Sequence, residues 1–127
     1  MAKRTFVFGE FEDMISIKDI PVFRALLSKV YDPTLIDILS NVESFFPGIT
    51  ITEGYREGVG VHSTDPCRAI DLRSRNYTEA QTQTIKNHIN NTWIYDPERP
   101  EMNCCMVHDV GRGMHFHIQT HPNTARR

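Results

Sequence analysis

An α+β fold is predicted, with helices packed on one face of a small antiparallel sheet, and three observations predict it. Two stretches in the first third carry apolar residues at helical spacing. Short stretches further on alternate apolar and polar residues, the period of a half-buried strand. The last two of these are joined by a glycine-containing turn, as a hairpin would be. At 127 residues the chain has the length of a single domain with its own core.

Residues 3 to 20 mix Phe, Val, Met and Ile with charges and show no clean period, so a short strand or an extended arm is expected there. Pro21 suits a first helical residue, and Val22, Phe23, Leu26, Leu27 and Val30 follow at helical spacing. Asp32-Pro33 is a second start, an N-cap followed by proline. Leu35, Ile36, Ile38, Leu39, Val42 and Phe45 then form one broad apolar face, which Pro47-Gly48 ends. Both helices read as packing elements.

Ile49-Thr50-Ile51-Thr52 is β-branched throughout and reads as a strand. A loop rich in Gly, Ser, Asp and Pro follows, to about Cys67, and Ala69-Ile70-Asp71-Leu72 is a further strand with Asp71 facing away from Ile70 and Leu72. Asn76 with Glu79 reads as a capping box for a helix docked through Ile85, Ile89 and Trp93. His88 lies beside that stripe, where a solvated or capping role is expected. Tyr95 to Pro100 is a turn-rich connection. Cys104 to His108 is strand-length, Asp109-Val110-Gly111-Arg112-Gly113 is a turn, and Met114-His115-Phe116-His117-Ile118-Gln119 alternates strictly. In a near-symmetric register His108 lies opposite His115 and Met106 opposite His117, whereas a slip of one residue would turn His108 to the other face. The tail from His121 reads as irregular.

Composition narrows the function. A net charge of −2 gives no pull toward nucleic acid, and no apolar run has the length of a membrane span, so neither partner is expected. The N-terminal stretch lacks an apolar h-region and a cleavage site, so no signal peptide is expected. Cys67, Cys104 and Cys105 form no Cys-x-x-Cys pair, and reduced buried thiols are expected.

The chemistry-bearing residues are histidines and one carboxylate. On a strand, His115, His117 and Gln119 share a face. A hydrolytic zinc site takes two or three His, often with a carboxylate, and keeps a position open for water. His62 and Asp71, together with His117, are the residues that could complete such a set. Asp71 stands between apolar residues, where an unpaired carboxylate is costly, and a structural salt bridge is its alternative explanation.

Gly54-Tyr55-Arg56, then His62 through Arg68-Ala69-Ile70-Asp71-Leu72, then His115-Phe116-His117 resemble the motifs of the zinc D-alanyl-D-alanine carboxypeptidases and the related phage L-alanyl-D-glutamate endopeptidases. The three pieces occur in the family's order and span roughly residues 47 to 124, leaving 1–46 as a helical N-terminal part. The resemblance implies a D-Ala-D-Ala carboxypeptidase-like fold and a zinc-dependent peptidase acting on peptidoglycan stem peptides. It implies His62, Asp71 and His117 as zinc ligands, with Arg56 binding substrate and steadying the oxyanion. With no signal peptide expected, such a protein would be made in the cytoplasm and act on the cell wall either as a phage lysis or virion component or as a bacterial protein exported by other means. This chain departs from the pattern at three places. His62 and Asp71 are nine residues apart, a longer interval than the family's usual one; Cys67 stands where the family has glycine; and Met114 stands where it keeps an acidic general base. The wider superfamily, including lysostaphin-like endopeptidases, uses the first His of a His-x-His for proton transfer. That makes His115 the candidate base, with His108 in reserve and Asp109 as a residue to orient one of them.

Two other function classes are compatible with these motifs. One is a non-catalytic zinc-binding module on the same fold, which Met114 allows. The other is a DNA-nicking enzyme, since His-hydrophobic-His is also a relaxase metal motif. That chemistry needs a nucleophilic tyrosine, typically downstream, and no Tyr follows His117.

Overall fold

The computed structural model describes residues 15–109 and 113–127. In chain order the elements are β1 (Ser16–Ile17), α1 (Ile20–Ser28), α2 (Pro33–Phe45), β2 (Thr50–Glu53), a 3-10 turn (Val61–Ser63), β3 (Ala69–Arg73), α3 (Glu79–Thr92), β4 (Trp93–Ile94), β5 (Cys105–Asp109), β6 (Met114–Gln119) and β7 (Ala125–Arg126). The main sheet has the order β1-β2-β3-β6-β5, and β4 pairs with β7 in a two-stranded sheet. The α+β class is as predicted. The sheet is not purely antiparallel: β1 runs parallel to β2, through Ser16↔Thr50 and Ile17↔Ile51, while the other pairings are antiparallel. Two residues are too short to show an alternation, so the direction of β1 had no sequence signal. The part of the expected N-terminal strand or arm that precedes residue 15, and Val110, Gly111 and Arg112 of the predicted turn, lie outside the described residues.

The sheet separates its two faces by simple alternation. Ile70 and Leu72 of β3 and Phe116 and Ile118 of β6 are buried in one cluster with Leu35, Ile38, Leu39 and Val42 of α2 and Ile85 and Ile89 of α3. Asp71, His115, His117 and Gln119 therefore emerge on the other face. Moving one buried apolar side chain into water costs about 1.5–3 kcal/mol. A one-residue slip of β6 would expose both Phe116 and Ile118, so their burial holds the histidines in register. Among the described residues, no helix is long and apolar enough to cross a membrane.

Local signals act largely as expected, with some corrections. Helix α1 starts at Ile20, capped by Asp19, whose carboxylate accepts from Val22 N–H, and Pro21 falls in the first turn. Asp32 precedes α2, but its side chain does not cap the helix. It accepts a hydrogen bond from Thr120 Oγ1 at 2.6 Å and pairs with Arg68 Nη1 at 3.1 Å, tying the start of α2 to β3 and to the end of β6. The cap of α3 is Thr78, closed into a capping box with Gln81, and not Asn76 with Glu79. Asn76 is committed elsewhere: its amide donates to Thr50 Oγ1 at 3.1 Å. His88 is a surface-packing residue, bonded to Asn41 Oδ1 at 2.7 Å and packed on the Phe45 and Phe46 rings. Within the tail expected to be irregular, β7 pairs with β4 and places Arg126 over the Trp93 ring. The three cysteines are free and buried. Burial pushes the Cys104 thiol up to about 11 and the Cys105 thiol up to about 12, so both are protonated at neutral pH and make poor metal ligands.

Candidate metal centre

Cross-strand pairing assembles most of the centre. Between β3 and β6, Asp71 lies opposite His117 and Arg73 opposite His115. Between β5 and β6, Met106 lies opposite His117 and His108 opposite His115, the near-symmetric register expected from the turn. One row across the sheet is thus Asp71, His117, Met106, and the next is Arg73, His115, His108.

His62 reaches the same face from the loop between β2 and β3. Two backbone bonds hold the 3-10 turn that carries it: Arg56 N–H donates to His62 O, and Arg68 N–H donates to Val61 O. The register of β2 shifts between Ile51 and Glu53, and such irregularities re-aim the chain that follows. Gly54 comes next, buried against α1. A Cβ at Gly54 would stand 2.6 Å from the Tyr31 hydroxyl and 3.1 Å from Leu26 Cδ2, so a side chain there would displace Tyr31 from its bond to Tyr55 N–H.

His62, Asp71 and His117 are all buried, and their ligand atoms lie within 4.8 Å of one another, a group that could hold a metal ion. The outer partners of the two rings decide which nitrogens face inward. His62 Nδ1 is 2.9 Å from Gly54 O, which can only accept, so Nδ1 carries the proton and Nε2 offers a lone pair to the centre. His117 Nε2 is 3.1 Å from Gln119 Oε1, and Gln119 Nε2 donates to Asn103 O at 3.0 Å. That chain protonates His117 at Nε2 and leaves the Nδ1 lone pair pointing inward. His62 Nε2 and His117 Nδ1 then face the same atom, Asp71 Oδ1, at 3.2 Å and 3.0 Å.

With neutral rings, three acceptors converge on one point. Such an arrangement needs a proton or a cation between them. Two imidazole nitrogens and a carboxylate oxygen are also the donor set of a hydrolytic zinc site. Burial alone would raise the Asp71 pKa; with a proton on each inward-facing ring nitrogen in place of a cation, hydrogen bonds and charge from His117 and His62 outweigh it and hold the carboxyl well below the usual carboxylate range. Asp71 is therefore an anion, as a metal ligand must be.

The other site residues predicted from sequence lie around this group. His115 Nε2 is 3.5 Å from Asp71 Oδ2, and its Nδ1 has a long contact of 3.4 Å with Gly113 O. The His108 ring packs against both His115 and His117, with centroids at 4.9 and 5.6 Å. Burial and its two imidazole neighbours push the His108 pKa down, which favours the neutral ring. Asp109 serves the hairpin turn, accepting from Gly113 N–H at 3.1 Å. Arg56 is half exposed, pairs with Glu53 at 3.3 Å, and lines a cleft of about 730 Å³ that also reaches Asp71 and His115.

Three contributors were given no role from the sequence. Gln119 and Arg73 each stand two residues from a candidate ligand, on the same face, so strand period alone could have nominated both. The Gly54 carbonyl had no such signal. Gln119 carries a direct test. Gln119→Leu should weaken metal binding about 10- to 100-fold, the usual worth of an outer partner, as measured by competition against a chelator, and Gln119→Glu should recover most of it. Unchanged affinity in the leucine variant would show that something else orients His117.

Fold and site together define an α+β domain with a buried His-Asp-His group that could hold a metal ion. Compared with protein-family models, curated proteins and solved structures, the chain finds no match.

Proposed function

We propose that the protein is a zinc-dependent peptidase that hydrolyses an amide bond in peptidoglycan stem peptides. The observation that carries the proposal is the convergence of two oriented imidazole lone pairs on an ionised, buried carboxylate, beside a further imidazole at the end of a cleft. His62, Asp71 and His117 would hold the zinc ion, which would supply Lewis acidity toward the scissile carbonyl and the attacking water.

The chain's own groups do the rest. With the proton on Nδ1, toward Gly113 O, His115 Nε2 has a lone pair beside Asp71 Oδ2 and takes the proton of the attacking water. The same nitrogen then gives that proton to the departing amine. Arg56 lines the cleft with a permanently charged guanidinium, and in this reading it holds the carbonyl oxygen as its charge grows. Tertiary packing through Phe116 and Ile118 keeps this geometry fixed before substrate arrives. Substrate class and choice of metal rest on the motif resemblance and on the donor set.

The second reading is a non-catalytic zinc-binding module, and Met114 favours it: methionine cannot accept a proton, and this side chain is largely exposed at the rim of the cleft. Metal analysis of the purified protein, together with mass spectrometry of digested peptidoglycan, separates the two. The peptidase should carry one zinc per chain and release defined peptide fragments. Stoichiometric zinc with every stem peptide intact would establish the module. Absence of bound zinc at neutral pH after zinc loading would sink both.

A further inference from the structure

The cleft that reaches the centre is lined unevenly in charge. Lys18, Arg56, Arg73 and Arg75 line it together with Glu53, Glu79 and Asp71. Arg56 is paired with Glu53, and Asp71 is engaged by the histidines. Among the described residues, no carboxylate lies within ion-pair distance of Lys18, Arg73 or Arg75. Among the described residues that line the cleft, Glu79 is thus the one acid left to balance three cations.

Arg73 is the best placed of the three. It follows Asp71 by two residues on β3, so the two side chains share a face, roughly 7 Å apart along the strand. It lies directly opposite His115 on β6. It is partly buried, whereas Lys18 and Arg75 are exposed and their charges more strongly screened. A guanidinium beside the reacting centre, with no carboxylate partner among the described residues, is shaped for bidentate capture of a carboxylate.

We propose that the cleft binds a carboxylate of the substrate next to the scissile bond, and that Arg73 is the specificity-determining residue that grips it. Lys18 and Arg75 add a weaker attractive field. A chain of net charge −2 with Glu79 in the same cleft does not suit a polyanion, but it suits a single carboxylate on a peptide. This rests on the peptidase reading for the identity of the ligand, and the test keeps the two apart.

The probe is the synthetic stem peptide L-Ala-γ-D-Glu-L-Lys-D-Ala-D-Ala in three forms: both carboxylates free, the D-Glu α-carboxyl amidated, or the C-terminal carboxyl amidated. Binding to the zinc-loaded protein is read by calorimetry, which needs no turnover, and cleavage and zinc content are read separately. One of the two amidations should weaken binding about ten- to a hundredfold, the worth of a charge-assisted hydrogen bond, and so identify the carboxylate that is held. Arg73→Gln should remove that preference and bind the free and amidated forms alike, with zinc content unchanged. Arg73→Lys should retain part of it. A preference that survives in full in Arg73→Gln, equal binding of all three peptides by the wild type, or no binding of any would overturn the proposal. Wild-type protein that prefers the free carboxylate but cleaves nothing would leave the cleft assignment standing and remove the peptidase.

Discussion

His117→Ala should release the metal ion and abolish cleavage together. The variant removes a ring whose lone pair is already aimed at the centre by Gln119, and leaves Asp71 Oδ1 with one imidazole partner, His62, in a buried group. His62→Ala and Asp71→Asn should behave alike, since each takes one member of the same three-atom set. The loss should also appear in stability. A ligand that binds only the folded state stabilises it by about 2.7 kcal/mol at a concentration one hundred times its dissociation constant. Zinc should therefore raise the melting temperature of the wild type and leave that of the three variants unmoved. A His117→Ala protein that keeps zinc with wild-type affinity would show that the ion sits elsewhere, and the site assignment would fail.

His115→Ala should keep the metal and lose the reaction. His115 stands outside the inner group, 3.5 Å from Asp71 Oδ2, so three ligands remain without it. Its expected contribution is that of a positioned general base, about 10²–10⁴-fold in turnover. Zinc titration and kcat measured on the same preparation separate this outcome from ligand loss. Full activity in the variant would leave the enzyme intact and move the base to His108. That ring packs on His115, and its lowered pKa leaves it neutral and able to take a proton. In such a case His108→Ala should show the deficit instead.

The parts of the centre that could be read from sequence are those governed by strand period. Alternation placed His115, His117 and Gln119 on one face and Phe116 and Ile118 on the other, and the short turn placed His108 opposite His115. Asp71 between Ile70 and Leu72 was legible for the same reason. His62 was not legible from period, because it sits on an irregular loop; its closeness to Asp71 in sequence, and then the motif resemblance, nominated it. The Gly54 carbonyl and the Asn103 carbonyl that orient the two rings are backbone groups, which carry no residue identity to read. The cap of α3 was misplaced because two candidates stood two residues apart. Tertiary contact of Asn76 with Thr50 decided between them. The parallel β1 and the β4–β7 pair are two-residue pairings made by long-range contact, below the length at which any period can be seen.

The residues that converge at the centre come from two distant parts of the chain: the middle, with a loop at His62 and a strand at Asp71, and the penultimate strand at His117. An ion gripping all three acts as a clasp, closing a long loop much as a covalent cross-link would. Its grip is possible only once β3 and β6 have paired in register, so occupancy of the centre is a gauge of finished folding. The same tie that would prepare a reaction thus fastens the end of the chain to its middle.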